Sequence, residues 1–142
     1  ILVGSLGGNV PIMFDPFYSS SKAALEMLAR AAYSELKPYN IKVTAFLPGG
    51  TATGFTLKRK VYSPDETKSY SQSMNKAVAA LADMEQNGMS PAVVAEDIYS
   101  LILSDKPPVV KASGFKNSTY RVMSHIMPEK VTLYLNDRAF RQ

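Results

Sequence analysis

The chain has 142 residues, 46% hydrophobic and 20% charged, a balance that supports one ordinary core and excludes global disorder. Its 16 Lys and Arg against 12 Asp and Glu leave a formal charge of +4 without a long cationic block, which argues against a nucleic-acid partner. Cysteine is absent, so a disulfide framework and a thiolate metal site are excluded. No apolar run approaches the roughly 20 residues of a membrane span, which leaves a cytoplasmic location as the default expectation.

Taken in chain order, Ile1 to Val3 is a short apolar run that opens without a polar lead-in, as the middle of a longer protein would. It reads as a buried strand that delivers Ser5 at its carboxyl end, before the loop Gly7-Gly8-Asn9-Val10-Pro11. From Phe17 to Lys37 the period becomes helical, with Leu25, Leu28, Ala29, Ala32 and Leu36 on one face and Pro38 ending the run. Ala24, Met27 and Ala31 widen that apolar arc, which predicts a second packing partner for the helix. Ile41 to Leu47 has almost no polar alternation, as in a parallel strand covered on both faces. Strand, long helix and strand in this order predict a right-handed parallel crossover and an α/β fold.

The basic run Lys58-Arg59-Lys60 reads as a solvated loop rather than a contact for an anionic substrate. Ser63-Pro64-Asp65-Glu66 is a capping-box helix start, with the helix expected to run to about Gly88. Ser90-Pro91 starts another helix, whose stripe is Val93, Val94, Ile98, Leu101 and Ile102. Val109 to Ala112 is a last short strand, and the tail is helical with a break at Pro128.

One constellation carries chemistry. Tyr18 and Lys22 stand one helical turn apart and project from the same side near the start of the long helix. A free tyrosine ionises near ~10, and a neighbouring cation favours the phenolate, so such a pair suits proton exchange with a carbonyl or alcohol oxygen. Tyr33 and Lys37 repeat the spacing, and each tyrosine has a serine 13 positions earlier, Ser5 and Ser20. Ser20 and Tyr33 lie in one continuous helix about 20 Å apart along the axis, too far to meet at one atom. That second set is expected to be surface decoration. Only Ser5, at a strand end before a flexible loop, can converge on Tyr18.

These residues strongly resemble the short-chain dehydrogenase/reductase family. The resemblance is carried by Ser5 after the apolar strand, Gly8, Tyr18-x-x-x-Lys22, and Pro48-Gly49-Gly50-Thr51-Ala52-Thr53 after the next strand. It covers roughly Ile1 to Ala112, with a less specific tail. It implies a Rossmann-like, doubly wound parallel sheet of which residues 1–142 are the carboxyl-terminal portion, with the amino-terminal dinucleotide-binding half not present. Residues 53–90 would form a substrate lid, and 113–142 a helical tail. The implied reaction is hydride transfer between NAD or NADP and a carbonyl or secondary alcohol, with a small-molecule substrate that is partly apolar. By carry-over, Tyr18 is the general acid/base, Ser5 holds the substrate oxygen, and Lys22 assists Tyr18 and binds the nicotinamide ribose. Pro48, Gly49, Thr51 and Thr53 would hold the carboxamide and a nearby phosphate, again by resemblance.

Gly4 and Thr51 depart from the family's usual serine and branched apolar residue. The visible fragment alone is expected to be inactive, and the complete enzyme to be a homodimer or homotetramer. The alternative is a truncated, non-enzymatic relative that acts through dimerisation by the long helix. His125, the sole histidine, reads as a surface or amphipathic-face residue. Met74, Met84, Met89, Met123 and Met127 suit either an adaptable substrate pocket or ordinary core packing.

Overall fold

A computed structural model describes residues 1–141. Three parallel strands form one sheet in the order β1 (Leu2–Val3), β2 (Ala45–Leu47) and β3 (Val110–Ala112). Leu2 pairs with Ala45, and Ala45 with Val110, so β2 is central. The long helix α1 (Pro16–Leu36) joins β1 to β2, and five more elements lie between β2 and β3: a 3-10 turn at Thr56–Lys58, the short α2 (Pro64–Thr67), a second 3-10 turn at Lys68–Tyr70, α3 (Ser71–Gln86) and α4 (Pro91–Leu103). The tail folds as α5 (Phe115–Ile126) and α6 (Glu129–Arg141), separated at Pro128 as the sequence predicts. This mixed architecture with a wholly parallel sheet is a partial Rossmann-like fold. Among the described residues, no helix is long and apolar enough to cross a membrane.

The core follows from the pleat of β2. Ala45 and Leu47 join Leu6, Ala29, Val43 and Ala112 in one buried cluster, against which Leu2, Ala32, Tyr33, Leu36 and Val110 pack. Phe46, one residue out of phase, points to the opposite face and is also fully buried. Both faces of β2 are therefore dry, which explains why its sequence lacks polar alternation. Val43 and Thr44 are buried as well but precede the paired segment, and Thr44 instead donates its hydroxyl to the Pro108 carbonyl at 2.8 Å.

Several expectations need correction. Tyr33 is not surface decoration, because it packs on the core cluster. Leu28 leaves the buried face of α1 and is 57% exposed beside Met27 at 66%, so this part of the apolar arc meets no partner among the described residues. The capping box at Ser63 forms, with Glu66 accepting from the Ser63 amide at 2.7 Å, but the helix does not run on to Gly88. Thr67 turns its hydroxyl back onto the Ser63 carbonyl, and Lys68 adopts a positive φ of 45°, a conformation that a right-handed helix cannot continue through. Helical geometry resumes at Ser71. On α4, only Leu101 of the expected stripe is fully buried; Val93 and Ile102 are exposed.

The loop after β1 is fixed by close approach to α1. A β-carbon on Gly8 would lie 2.8 Å from both the Lys22 carbonyl carbon and the Ala23 nitrogen, so only glycine lets the 3-10 turn Leu6–Gly8 rest on the helix backbone.

Removing the ring that fills the second face of β2 should unfold the domain before it harms anything else. Phe46→Ala is expected to lower the unfolding free energy by about 3–5 kcal/mol, read by urea denaturation.

Candidate active site

A cavity of about 460 Å³ opens where the carboxyl ends of β1 and β2 meet the later helices. Ser5, Tyr18, Pro48, Gly49, Thr51 and Thr53 all line it. Six of the seven residues singled out from the sequence thus share one space, although they come from two loops and a helix.

Local geometry explains the convergence. Ser5 caps the 3-10 turn, its Oγ accepting from the Gly7 amide at 3.1 Å. That leaves the hydroxyl proton free to be donated elsewhere. Ser19 anchors the start of α1 by accepting from the Ile12 amide at 2.9 Å, which sets the entry of the helix and hence the place of Tyr18. The Tyr18 ring comes so near the serine turn that a β-carbon on Gly7 would be 3.3 Å from its Cε1. On another side the ring meets Phe55, with centroids 6.4 Å apart and planes tilted by 55°. Lys22 is the seventh residue and is placed differently. Its Nζ lies 5.6 Å from the Tyr18 ring centroid and donates to the Val3 carbonyl at 3.2 Å, outside the cavity wall.

The Pro-Gly loop is held by its own backbone and hydroxyls. Thr51 donates to the Gly49 carbonyl at 3.1 Å, Thr53 accepts from the Phe55 amide at 3.2 Å, and Thr51 bridges in parallel to Met89. The contacts of Thr51 are those of hydroxyl and backbone, so a branched apolar side chain is not required there. Gly4 has a steric reason, since a β-carbon would meet Leu47 Cδ2 at 2.7 Å.

From the stretch after Thr53, the residues Phe55, Arg59, Leu81, Met84 and Glu85 line the cavity. Arg59 is not a solvated loop residue. It forms a 2.5 Å ion pair with Glu85 of α3, with the two side chains only 14% and 11% exposed. Thr56 hydrogen-bonds the other oxygen of the same carboxylate. Lys58 and Lys60 remain exposed as expected. Of the five methionines, Met84 alone lines this cavity; Met74 is buried core, and Met123 is largely exposed.

The tail contributes more than its sequence suggests. Asn117 and Tyr120 of α5, and Asn136, Ala139 and Phe140 of α6, complete the wall. Asn136 also donates to the Pro11 carbonyl at 2.8 Å, which ties α6 to the loop before α1. Burial pushes the Tyr120 phenol above its ordinary range, so it stays protonated and can act as a hydrogen-bond donor. Helix α5 is inverted relative to the ordinary amphipathic rule: Phe115, Val122, Met123 and Ile126 face out, while Asn117, Ser118, Arg121 and Ser124 are partly covered. That inversion is why hydrophobic periodicity misses Asn117. His125 is exposed, with Nδ1 2.8 Å from the Arg121 carbonyl.

Behind the serine turn, Glu26 of α1 is buried and accepts from Asn9 at 2.6 Å, from Arg30 at 2.6 Å and from Arg121 at 3.4 Å. Burial raises its pKa, but the Arg30 and Asn9 hydrogen bonds and the charges of Arg30 and Arg121 outweigh this and hold it below its ordinary value.

A family model described as short chain dehydrogenase matches residues 1–62. A 3-ketodihydrosphingosine reductase from Bacteroides thetaiotaomicron is 31% identical over 109 residues, which are 76% of this chain and 40% of that protein. A probable short-chain type dehydrogenase/reductase from Helicobacter pylori is 29% identical over 128 residues, 89% of this chain and 46% of that one. The NADPH-dependent 1-acyldihydroxyacetone phosphate reductase of Saccharomyces cerevisiae is 42% identical over 59 residues, 42% of this chain and 20% of that enzyme. The chain belongs to the short-chain dehydrogenase/reductase family. It spans less than half the length of these relatives.

Two stability tests follow. Because the folded pKa of Glu26 is depressed, its contribution is fully present above the ordinary carboxylate value of 4.5 and is lost as pH falls through the lowered one. The thermal-stability gap between wild type and Glu26→Gln should therefore be full at neutral pH and close in acid. Glu85→Ala strands a nearly buried guanidinium and should cost roughly 3 kcal/mol in chemical denaturation.

Proposed function

We propose that the complete protein is an NAD- or NADP-dependent oxidoreductase acting on a carbonyl compound or secondary alcohol, with Tyr18 as general acid/base. The observation that carries this reading is the meeting of Ser5, Tyr18 and the loop Pro48–Thr53 around one cavity. The residues present suit the nicotinamide end of such a cofactor. Thr51 and Thr53 offer hydroxyls and Asn117 an amide, and the backbone of Gly49 and Gly50 forms part of the wall. When bound, the nicotinamide supplies or accepts the hydride.

The protein's own part is to hold the reacting oxygen and move a proton. Ser5, its lone pair occupied by Gly7, donates its hydroxyl proton to the substrate oxygen. Tyr18 gives that oxygen a proton in reduction and removes one in oxidation. Lys22 keeps a positive charge near the ring that carries negative charge once the proton has left. Leu6, Val10, Ile12, Phe55, Leu81 and Phe140 supply an apolar wall, which favours a substrate with a hydrocarbon portion. The printed names of two relatives, a ketodihydrosphingosine reductase and an acyldihydroxyacetone phosphate reductase, point the same way.

The exposed face of α1, with Phe17, Met27 and Leu28, supports a homodimer or homotetramer. It equally supports the non-enzymatic dimerisation reading, which a lack of turnover would favour.

Tyr18→Phe in the complete protein should abolish NAD(P)H turnover with a panel of lipophilic ketones, while Tyr33→Phe leaves it nearly unchanged. Equal losses in the two variants would refute the choice of site.

A further inference from the structure

Glu26 is a buried charged group to which acid/base chemistry at Tyr18 gives no task. Tyr18, Lys22, Glu26 and Arg30 form a single i, i+4 row on α1, and Glu26 lies two turns beyond the phenol. It cannot reach the reacting oxygen, yet it bonds two residues, Asn9 and Arg121, that adjoin the cavity-lining Val10 and Tyr120 in sequence. One oxygen accepts from Asn9 Nδ2 at 2.6 Å. The other accepts from Arg30 Nη2 at 2.6 Å and Nε at 3.2 Å, and from Arg121 Nη2 at 3.4 Å.

Asn9 closes the serine turn: its amide and that of Val10 both donate to the Leu6 carbonyl, at 2.9 and 3.1 Å. Gly7, within that turn, orients Ser5 Oγ and abuts the Tyr18 ring. Arg121 directly follows Tyr120, which lines the cavity one turn from Asn117. Asn9 Oδ1 and Arg121 Nε are buried and make no hydrogen bond among the described residues.

We propose that Glu26 is a positioning residue that fixes the Ser5 turn through Asn9, with Arg30 and Arg121 holding its carboxylate in place, so that serine and phenol face one substrate oxygen. The idea rests on the oxidoreductase reading for its kinetic consequence, but not for its structural one.

Glu26→Gln keeps the side chain's shape and removes its charge. In the complete protein, amide hydrogen exchange should rise at residues 6–10 while β2 stays protected. The kcat should fall about ten- to a hundredfold, with KM for NAD(P)H changed by less than about twofold, as expected for misplacement without lost binding. In a Ser5→Ala background the same substitution should change kcat by less than about threefold, because the group it positions has already gone. A merely structural role predicts equal loss in both backgrounds, and that result would overturn the proposal. So would unchanged exchange in the turn. Asn9→Ala cuts only the turn's arm and leaves both arginines paired; it should reproduce the kinetic signature, and an unaltered kcat sinks the idea. If wild-type protein reduces no carbonyl, the oxidoreductase reading fails, while exchange in the turn still decides the role of Glu26.

Discussion

The contact on which the site depends is backbone against backbone, where the turn Leu6–Gly8 lies on the second turn of α1. No side chain fits between them at Gly8. The turn carries Ser5 and the helix carries Tyr18, so their separation is set by the thickness of two main chains rather than by flexible side chains. A site built this way loses little entropy when its groups are ordered, because most of the ordering is done by folding. The core beneath makes the contact obligatory. Leu6 is buried in the same cluster as Ala29, so the turn cannot lift without exposing apolar surface.

Polar contacts then refine what packing has placed. Gly7 holds the Ser5 oxygen, Ile12 is held by Ser19, and Glu26 gathers Asn9, Arg30 and Arg121. These bonds lie on the margin of the cavity and not in the dry core around Phe46. Their individual worth is modest, about 1 kcal/mol for a neutral pair and more for a charged one. Their value is directional, since each fixes an angle that hydrophobic burial leaves free.

How far the sequence revealed this depends on the range of the interaction that decides each element. The parallel sheet, α1 and the capped starts at Ser63 and Ser90 are set by local pattern, and they form where that pattern places them. Ser5 and Tyr18 were legible because a strand end and a helix start bracket a short loop. The break at Lys68, the burial of Arg59 against Glu85 and the inward polar face of α5 were not legible. In each case the outcome hangs on backbone turns or on partners far along the chain: 26 residues separate Arg59 from Glu85, and 95 separate Glu26 from Arg121. A basic run looks solvated until its acidic partner is folded onto it.

Residues 53–90 reach the cavity by two kinds of contact that respond differently to a ligand. Phe55, Leu81 and Met84 present deformable apolar surface, which tolerates small displacements at little cost. The contact of Arg59 and Thr56 with Glu85 is directional and nearly desolvated, and breaking it strands charge. The turn at Thr56–Lys58 is therefore pinned to α3 at one point, while the apolar surface around it stays compliant. Opening by pivoting about this pin keeps the ion pair intact; opening by lifting the whole segment does not. Of the two displacements, the first keeps the nearly desolvated pair and is the less costly, because no charge is left without its partner.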